Sequence, residues 1–274
     1  MSATHSTNAT TMSDIIRIDD LTVQREQPEH ATRPPVLFVH GYFATAAIFT
    51  KWLPFFAARG APAYAVNLRG RLGSRVGIDL GRATMDDFVE DASAVARHLG
   101  SPVVVGHSMG GLIAQCLAAR GDVRAAVLIS PAPPRGITVL SPRLAIKQLK
   151  YLPSILRSRE VVPDRDDLRE IVLNRVPRDL QDLILAQLVP DSGRAGKEMS
   201  LTGVPVDQTR VRCPLLVIGA EEDRFIPKQI AVRVAQRYGS PLRILEGHAH
   251  MSVVEPGWES VAGIVDEWLR ERFP

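Results

Sequence analysis

The 274-residue sequence is poor in cysteine: it has only Cys116 and Cys213, which lie far apart. Their spacing indicates neither a metal site nor a disulfide framework, so we expect a protein of a reducing compartment, the cytoplasm. No apolar run is long enough to cross a bilayer, and we expect no stable membrane insertion. Residues 1–13 lack the apolar segment of a secretory signal and are interpreted as a disordered tail.

The sequence also has little net charge, since 33 Lys and Arg residues stand against 30 Asp and Glu residues, which leaves +3. This balance gives no reason to expect a nucleic-acid-binding surface. Neither a glycine-rich phosphate loop nor a His-Glu-x-x-His motif is present, so we expect no cofactor and no metal. The expected partner is a small-molecule substrate, bound by a monomer or a homodimer.

What the sequence does contain is a series of short apolar runs separated by helical stretches. The runs lie at residues 36–39, 64–68, 103–105, 126–129, 215–218 and 242–245. Several show no alternation of apolar and polar residues, which is typical of parallel strands buried on both faces. Strands that alternate with helices predict an α/β fold with a doubly wound, mostly parallel sheet. Residues 15–18 and 21–23 are expected to form antiparallel edge strands.

One stretch, residues 131–212, interrupts this pattern. It has no strand signal as clean as the others, and it contains helical fragments at residues 141–156, 166–174 and 178–188. We expect it to form a helical cap, inserted into an α/β core made of residues 14–130 and 213–274.

Basic residues, including Lys147 and Lys150, are frequent in the first part of this predicted cap. One interpretation is a solvated basic helix face. The other is an attraction for anionic substrates or an anionic interface.

The most informative motif is Gly106-His107-Ser108-Met109-Gly110. An apolar run leads into it and a helical run follows it, so we expect the serine at a sharp strand-to-helix turn, the nucleophile elbow. Such a turn strains the serine backbone, and glycines two positions to either side avoid collisions across it. The turn exposes the hydroxyl at the carboxyl edge of the sheet, which makes Ser108 the candidate nucleophile.

A serine hydroxyl needs a base that accepts its proton and an acid that orients the base. In the elbow architecture both follow the serine on loops after later strands, the acid before the histidine. The loop after residues 215–218 offers three carboxylates, those of Glu221, Glu222 and Asp223. We choose Asp223, which lies nearest to the next helix, and keep Glu222 as the alternative. The loop after the last strand offers His250 and His248, and the residues alone leave this choice open.

The attack of a serine on a carbonyl group creates a negatively charged oxygen, which needs hydrogen-bond donors placed in advance. One expected donor is the backbone N–H of Met109, at the amino end of the elbow helix. The other is the backbone N–H of Tyr42, in the loop after residues 36–39. The side chains expected to line the substrate pocket are those of Phe43, His107 and Ile226.

Together these motifs resemble those of the α/β-hydrolase superfamily of serine esterases and lipases, over nearly everything from residue 36 to the end. In such families the catalytic histidine tends to precede an acidic-Pro pair by about five residues, so the resemblance to Glu255-Pro256 favours His250. The family's Gly-His order is met by His248 instead. Residues 67–74 resemble a pocket-shaping Asp-x-x-Gly-x-Gly-x-Ser segment, in which Asn67 replaces the Asp and one glycine is shifted.

The residues and the resemblance predict a serine hydrolase that cleaves carboxylic esters of small or medium lipophilic substrates through an acyl-enzyme. The same triad would serve a lactonase, a thioesterase, a C–C hydrolase or an acyltransferase, and fold analogy does not separate these activities. The remaining alternative is a non-catalytic, ligand-binding member. Such members commonly lose a triad residue, whereas all three candidates are present here.

Overall fold

The computed structural model describes residues 14–138, 146–147 and 149–274. The tail predicted at residues 1–13 and part of the helix predicted at residues 141–156 lie outside this description. The described strands are β1 (Asp14–Ile18), β2 (Leu21–Glu26), β3 (Val36–Val39), β4 (Ala63–Val66), β5 (Val103–His107), β6 (Ala125–Ile129), β7 (Glu160–Val161), β8 (Asp191–Ser192), β9 (Leu215–Ala220) and β10 (Leu242–Leu245).

The α-helices lie between and after these strands. They are α1 (Trp52–Ala57), α2 (Met85–His98), α3 (Met109–Arg120), α4 (Leu152–Leu156), α5 (Arg165–Ile171), α6 (Arg178–Ala186), α7 (Gly193–Lys197), α8 (Lys228–Tyr238) and α9 (Trp258–Arg270). Short 3₁₀ turns lie at Ala46–Phe49, Leu80–Arg82, Leu149–Tyr151 and Gln208–Arg210, and a π-helical turn at Glu198–Thr202.

Eight strands form one sheet in the order β1-β2-β4-β3-β5-β6-β9-β10. The pairs β1–β2 and β2–β4 are antiparallel, and every other neighbouring pair is parallel. The carboxyl ends of β3, β5, β6, β9 and β10 therefore meet at one edge of the sheet, where the loops that follow them come together. This confirms the predicted mostly parallel sheet with an antiparallel edge.

Alternate residues of the central strands enter two apolar clusters on opposite faces of the sheet. In β3, Leu37 and Val39 belong to the cluster that includes residues of α2, α3 and α8. Val36 and Phe38 belong to the cluster that includes residues of α1 and α9. Both faces are covered by helices, which explains why β3 is apolar at every position. The sheet is doubly wound, as predicted.

Residues 130–214 connect β6 to β9, and we call them the inserted segment; its described residues add no strand to the eight-stranded sheet. It contains α4, α5, α6 and α7, with a small apolar cluster of Leu173, Val176 and Leu185 that also includes Met251 of the core. It also contains β7 and β8, which pair antiparallel and were not predicted. Two residues per strand are too few to show the alternation by which strands are recognised.

Candidate active site

Ser108 lies at the turn between β5 and α3, with φ 57° and ψ −116°. This conformation is unfavourable for a residue with a side chain, as expected at a nucleophile elbow. The two flanking glycines are required for steric reasons. A Cβ on Gly106 would lie 2.1 Å from the carbonyl oxygen of Gly110, and one on Gly110 would lie 2.0 Å from that of Val39.

The structure brings Ser108, His250 and Asp223 into one hydrogen-bonded chain. His250 Nε2 lies 3.1 Å from Ser108 Oγ, and His250 Nδ1 lies 2.9 Å from Asp223 Oδ2. Because the carboxylate accepts the proton of Nδ1, Nε2 is free to accept the serine proton. All three residues are buried.

The remaining oxygen of the Asp223 carboxylate is held by its own loop. Asp223 Oδ1 accepts hydrogen bonds from the backbone N–H groups of Phe225, at 2.9 Å, and Ile226, at 2.7 Å. These two bonds orient the carboxylate and leave Oδ2 for the imidazole. Ile226, expected to line the pocket, is buried and contacts the acid through its backbone.

The residues that the sequence left as alternatives, His248 for the base and Glu222 for the acid, have other partners. His248 Nδ1 lies 3.1 Å from Glu255 Oε2, and the same oxygen accepts the backbone N–H of Ala249 at 2.9 Å. Glu222 is exposed and lies 3.7 Å from Arg175, and Glu221 pairs with Lys228. The geometry therefore favours His250 and Asp223 over these alternatives.

His107 packs against the imidazole of His250, with ring centroids 4.9 Å apart, and its Nε2–H donates to the His250 carbonyl oxygen at 2.8 Å. Burial, and then the proximity of His250, lower the pKa of His107 to about 3, so its ring is neutral at physiological pH. Phe225 packs on the same imidazole with its ring nearly perpendicular to it, at 5.0 Å. His107, expected to line the pocket, thus supports the orientation of His250.

Of the two expected oxyanion donors, Met109 follows Ser108 in the chain, and Tyr42 follows Gly41, whose backbone approaches Ser108. In the described part of the chain, the N–H groups of Met109 and Tyr42 have no hydrogen-bond acceptor. Met109 is the first residue of α3, where an N–H has no partner within the helix. The Tyr42 loop passes close to the nucleophile, since a Cβ on Gly41 would lie 3.0 Å from Ser108 Cβ.

His40 holds this loop from the core side. Its Nδ1–H donates to the Gly41 carbonyl oxygen at 2.9 Å, and its Nε2 accepts the backbone N–H of Leu68 at 3.3 Å. Burial, and then the positive charge of Arg71, lower the pKa of His40 to about 3. A neutral ring with its proton on Nδ1 fits both bonds.

The inserted segment holds the same loop from the other side. Phe43, whose φ is 64°, donates its backbone N–H to Asp191 Oδ2 at 2.8 Å and accepts the backbone N–H of Val189 at 3.0 Å. Asp191 also pairs with Arg71, and both side chains are fully buried. Sequence reasoning missed this pair. The one sequence signal near Arg71 was the departure of residues 67–74 from the Asp-x-x-Gly-x-Gly-x-Ser pattern of the family.

Two further features bear on ligands. In the residues with described positions, no group of three or more His, Cys, Asp or Glu side chains is arranged to hold a metal ion. None of the described helices combines the length and apolarity needed to cross a membrane. A cavity of about 380 Å³, lined by Cys213, Tyr238 and Arg272 among others, lies where β9 begins, at the sheet edge opposite Ser108.

The fold and the elbow define an α/β hydrolase, and the comparison with family models agrees. The model of the alpha/beta hydrolase family matches residues 36–262, so the chain belongs to that family. The comparison with curated proteins found no match.

Solved structures share the fold at low sequence identity. A membrane phospholipase A, described as a bacterial virulence factor, is 19% identical, with a TM-score of 0.72 over 94% of this chain and 86% of that one. A thermophilic esterase from Thermogutta terrifontis is 20% identical, with a TM-score of 0.71 over 96% and 100%. A hydrolase from Pseudomonas aeruginosa PA01 is 20% identical, with a TM-score of 0.71 over 96% and 99%.

Proposed function

We propose that this protein is a serine hydrolase that cleaves carboxylic esters of small or medium lipophilic substrates through an acyl-enzyme. The observation that carries the proposal is the position of the His250 imidazole, within hydrogen-bond distance of both Ser108 Oγ and Asp223 Oδ2. A buried imidazole between a hydroxyl and a carboxylate is the arrangement that activates a serine.

The reaction has two steps. Ser108 Oγ attacks the ester carbonyl carbon while His250 Nε2 takes the hydroxyl proton, and the tetrahedral intermediate collapses when His250 returns that proton to the leaving alcohol. Water then attacks the acyl-enzyme, with His250 again accepting and returning the proton. The carboxylic acid leaves, and the serine hydroxyl is regenerated.

Asp223 and the backbone donors stabilise the charges that form. The Asp223 carboxylate keeps the proton on His250 Nδ1 and stabilises the imidazolium ion. The N–H groups of Tyr42 and Met109 receive the oxyanion, at the positive end of the α3 dipole. Loss of one such donor typically costs about a hundred- to a thousandfold in turnover.

Aromatic side chains next to the oxyanion loop support a lipophilic substrate. The rings of Tyr42 and Phe43 lie 4.4 Å apart, and Tyr151 of the inserted segment lies 6.4 Å from Phe43. Phe43 is partly exposed, so its ring is accessible to a ligand. This contact also supports the role of residues 131–212 as a cap beside the site. The esterase and phospholipase names of two structural neighbours point to the same substrate class.

The test is turnover of p-nitrophenyl acetate, butyrate and octanoate by the wild type and by Ser108→Ala. We expect turnover by the wild type and a loss of about a millionfold in the variant. Ser260→Ala, at an exposed position of α9, is the matched control and keeps full activity. Equal rates for the wild type and Ser108→Ala would overturn the proposal.

Assays with a lactone, a thioester and an alcohol acceptor, run beside the esters, identify a different reaction on the same triad. Mass spectrometry after fluorophosphonate treatment locates the labelled serine. Absence of both labelling and turnover would favour a ligand-binding protein without catalysis.

A further inference from the structure

Three consecutive residues of the oxyanion loop are tied to the inserted segment or to its buried ion pair. The hydroxyl of Tyr42 donates to the Ser192 carbonyl oxygen at 2.6 Å. The backbone of Phe43 is bonded on both sides, through its N–H to Asp191 and through its carbonyl oxygen to Val189. The carbonyl oxygen of Ala44 accepts a hydrogen bond from Arg71 Nε at 3.3 Å.

The bonds at Phe43 maintain a conformation that the residue does not favour on its own. Its φ of 64° lies in the left-handed region, which a bulky aromatic residue adopts only where its surroundings impose it. The N–H to Asp191 fixes the peptide plane between Tyr42 and Phe43. Without that acceptor the plane is free to rotate, and the Tyr42 Cα, which also belongs to the plane of the Tyr42 N–H, is free to move.

The two peptide planes on either side of the Tyr42 Cα are held by different parts of the chain. The Gly41 carbonyl oxygen, which shares a plane with the Tyr42 N–H, accepts from His40 in the core. The following plane is held by Asp191. The Tyr42 N–H therefore depends on the core through its own peptide plane, and on the inserted segment through the Cα that the two planes share.

Asp191 is held in place by its buried ion pair with Arg71. Asp191 and Arg71 are both fully buried, so either charge alone would be strongly unfavourable, and the two stay paired. Asp191 Oδ1 accepts the N–H of Ser192 at 2.7 Å, while Oδ2 accepts Phe43 and Arg71. Arg71 Nη1 donates to the Arg69 carbonyl oxygen at 2.8 Å, which fixes the guanidinium in turn.

We propose that Asp191 is a positioning residue for the oxyanion hole, acting through Phe43 on the Tyr42 N–H, and that Arg71 holds its carboxylate in place. The inference rests on the proposed function, because it assigns Tyr42 the donor role. It makes the inserted segment part of the arrangement that stabilises the transition state.

Two double variants separate positioning from simple structural support. Arg71→Met/Asp191→Asn and Arg71→Met/Asp191→Leu both remove the buried charges, but only the first keeps an oxygen that accepts the Phe43 N–H. We expect kcat for p-nitrophenyl acetate to be about ten- to a hundredfold lower in the Leu variant than in the Asn variant, with KM within about threefold. We expect the affinity for a boronic acid that mimics the tetrahedral intermediate to be lower in the Leu variant than in the Asn variant by the same factor.

Equal kcat values and equal boronic acid affinities in the two double variants would overturn the inference. Thermal melting of both variants shows whether they are equally folded. If the Leu variant does not fold, hydrogen exchange in the wild type decides. The Phe43 N–H must then exchange far more slowly than the Tyr42 N–H, and rapid exchange at Phe43 refutes its bond to Asp191.

Hydrogen exchange also separates this inference from the proposed function. A protected Phe43 N–H in a protein without Ser108-dependent ester turnover means that the proposed function is wrong and the contact with Asp191 is right. Ser108-dependent ester turnover with an unprotected Phe43 N–H means that the proposed function is right and the contact with Asp191 is wrong.

Discussion

We call the side of Ser108 that carries His250 and Asp223, the proposed proton relay, the relay side, and the side of the Tyr42 loop, the proposed source of an oxyanion donor, the oxyanion side. The two sides are held by different parts of the molecule. On the relay side, the described hydrogen bonds to the Asp223 carboxylate come from His250 and from the residues that follow Asp223 in its own loop, all in the core. On the oxyanion side, the loop after β3 is held jointly by His40 in the core and Asp191 in the inserted segment.

The inserted segment also reaches the relay side, through apolar contacts and through hydrogen bonds. Asn174 Nδ2 donates to the Glu222 carbonyl oxygen at 3.1 Å, and Arg175 Nε donates to the Gly247 carbonyl oxygen at 3.0 Å. Met251, next to the candidate base, packs with Leu173 and Leu185. Neither of these hydrogen bonds is to Asp223 or His250, whereas on the oxyanion side Asp191 binds Phe43, the residue next to the expected donor Tyr42. A change within the inserted segment should therefore affect the oxyanion side before it affects the proton relay.

The largest expected effect concerns the base on the relay side. His250→Ala removes the proposed acceptor of the serine proton, so we expect kcat for p-nitrophenyl butyrate to fall by about a millionfold. His248→Ala is the matched control, because its imidazole contacts Glu255 and not the serine. We expect it to stay within about tenfold of the wild type. A large loss in His248→Ala with little change in His250→Ala would reverse the assignment.

The acid on the same side comes next. Asp223→Asn keeps the shape of the side chain but favours the wrong imidazole tautomer, and the expected loss in kcat is about ten-thousandfold. Glu222→Gln removes an exposed carboxylate of the same loop and should leave kcat unchanged. Steady-state kinetics of both variants on one ester make the comparison. Similar losses in the two variants would count against a role for Asp223.

On the oxyanion side, a single methyl group tests how closely the loop approaches the nucleophile. Gly41→Ala places a Cβ 3.0 Å from Ser108 Cβ, so the loop has to move away from the serine. A displacement of this kind is expected to lower kcat by about a hundredfold with little change in KM. Gly263→Ala, in α9, has open space around the new methyl group and serves as the control. An unchanged kcat in Gly41→Ala would show that the Tyr42 loop tolerates displacement.

The relay side is also the side that could be predicted from the sequence. The elbow is a local pattern of strand, turn and helix, and the order of acid and histidine follows from the parallel sheet. The choice of His250 used the Glu255-Pro256 pair. In the structure Glu255 holds the backbone N–H of Ala249 and the side chain of His248, so the acidic residue shapes the turn that carries the base.

The part that the sequence did not predict depends on residues that are distant in the chain. Arg71 and Asp191 are 120 residues apart, and no local period or motif relates them. The cap lysines illustrate the same limit. Lys147 pairs with Asp167, and Lys150 pairs with Asp164 and Asp167, so acids of the following helix region neutralise them. This pairing weakens the interpretation that they attract anionic substrates.

The smallest expected effect compares the buried histidines of the two sides through their pKa values. Both His107, on the relay side, and His40, on the oxyanion side, have a pKa lowered from 6.5 to about 3. The unfolded chain therefore takes up these protons first, and the stability is complete above about pH 6.5 and decreases as the pH falls toward 3. From pH 7 to pH 5 each histidine should cost about 2 kcal/mol of unfolding free energy. Urea denaturation at both pH values measures this loss.

His107→Gln, which keeps an N–H for the His250 carbonyl, should reduce the loss by that amount, and His40→Gln should do the same. The exposed His30→Gln should not change it. An unchanged pH dependence in both buried variants would show that neither ring is held neutral by its side of the site.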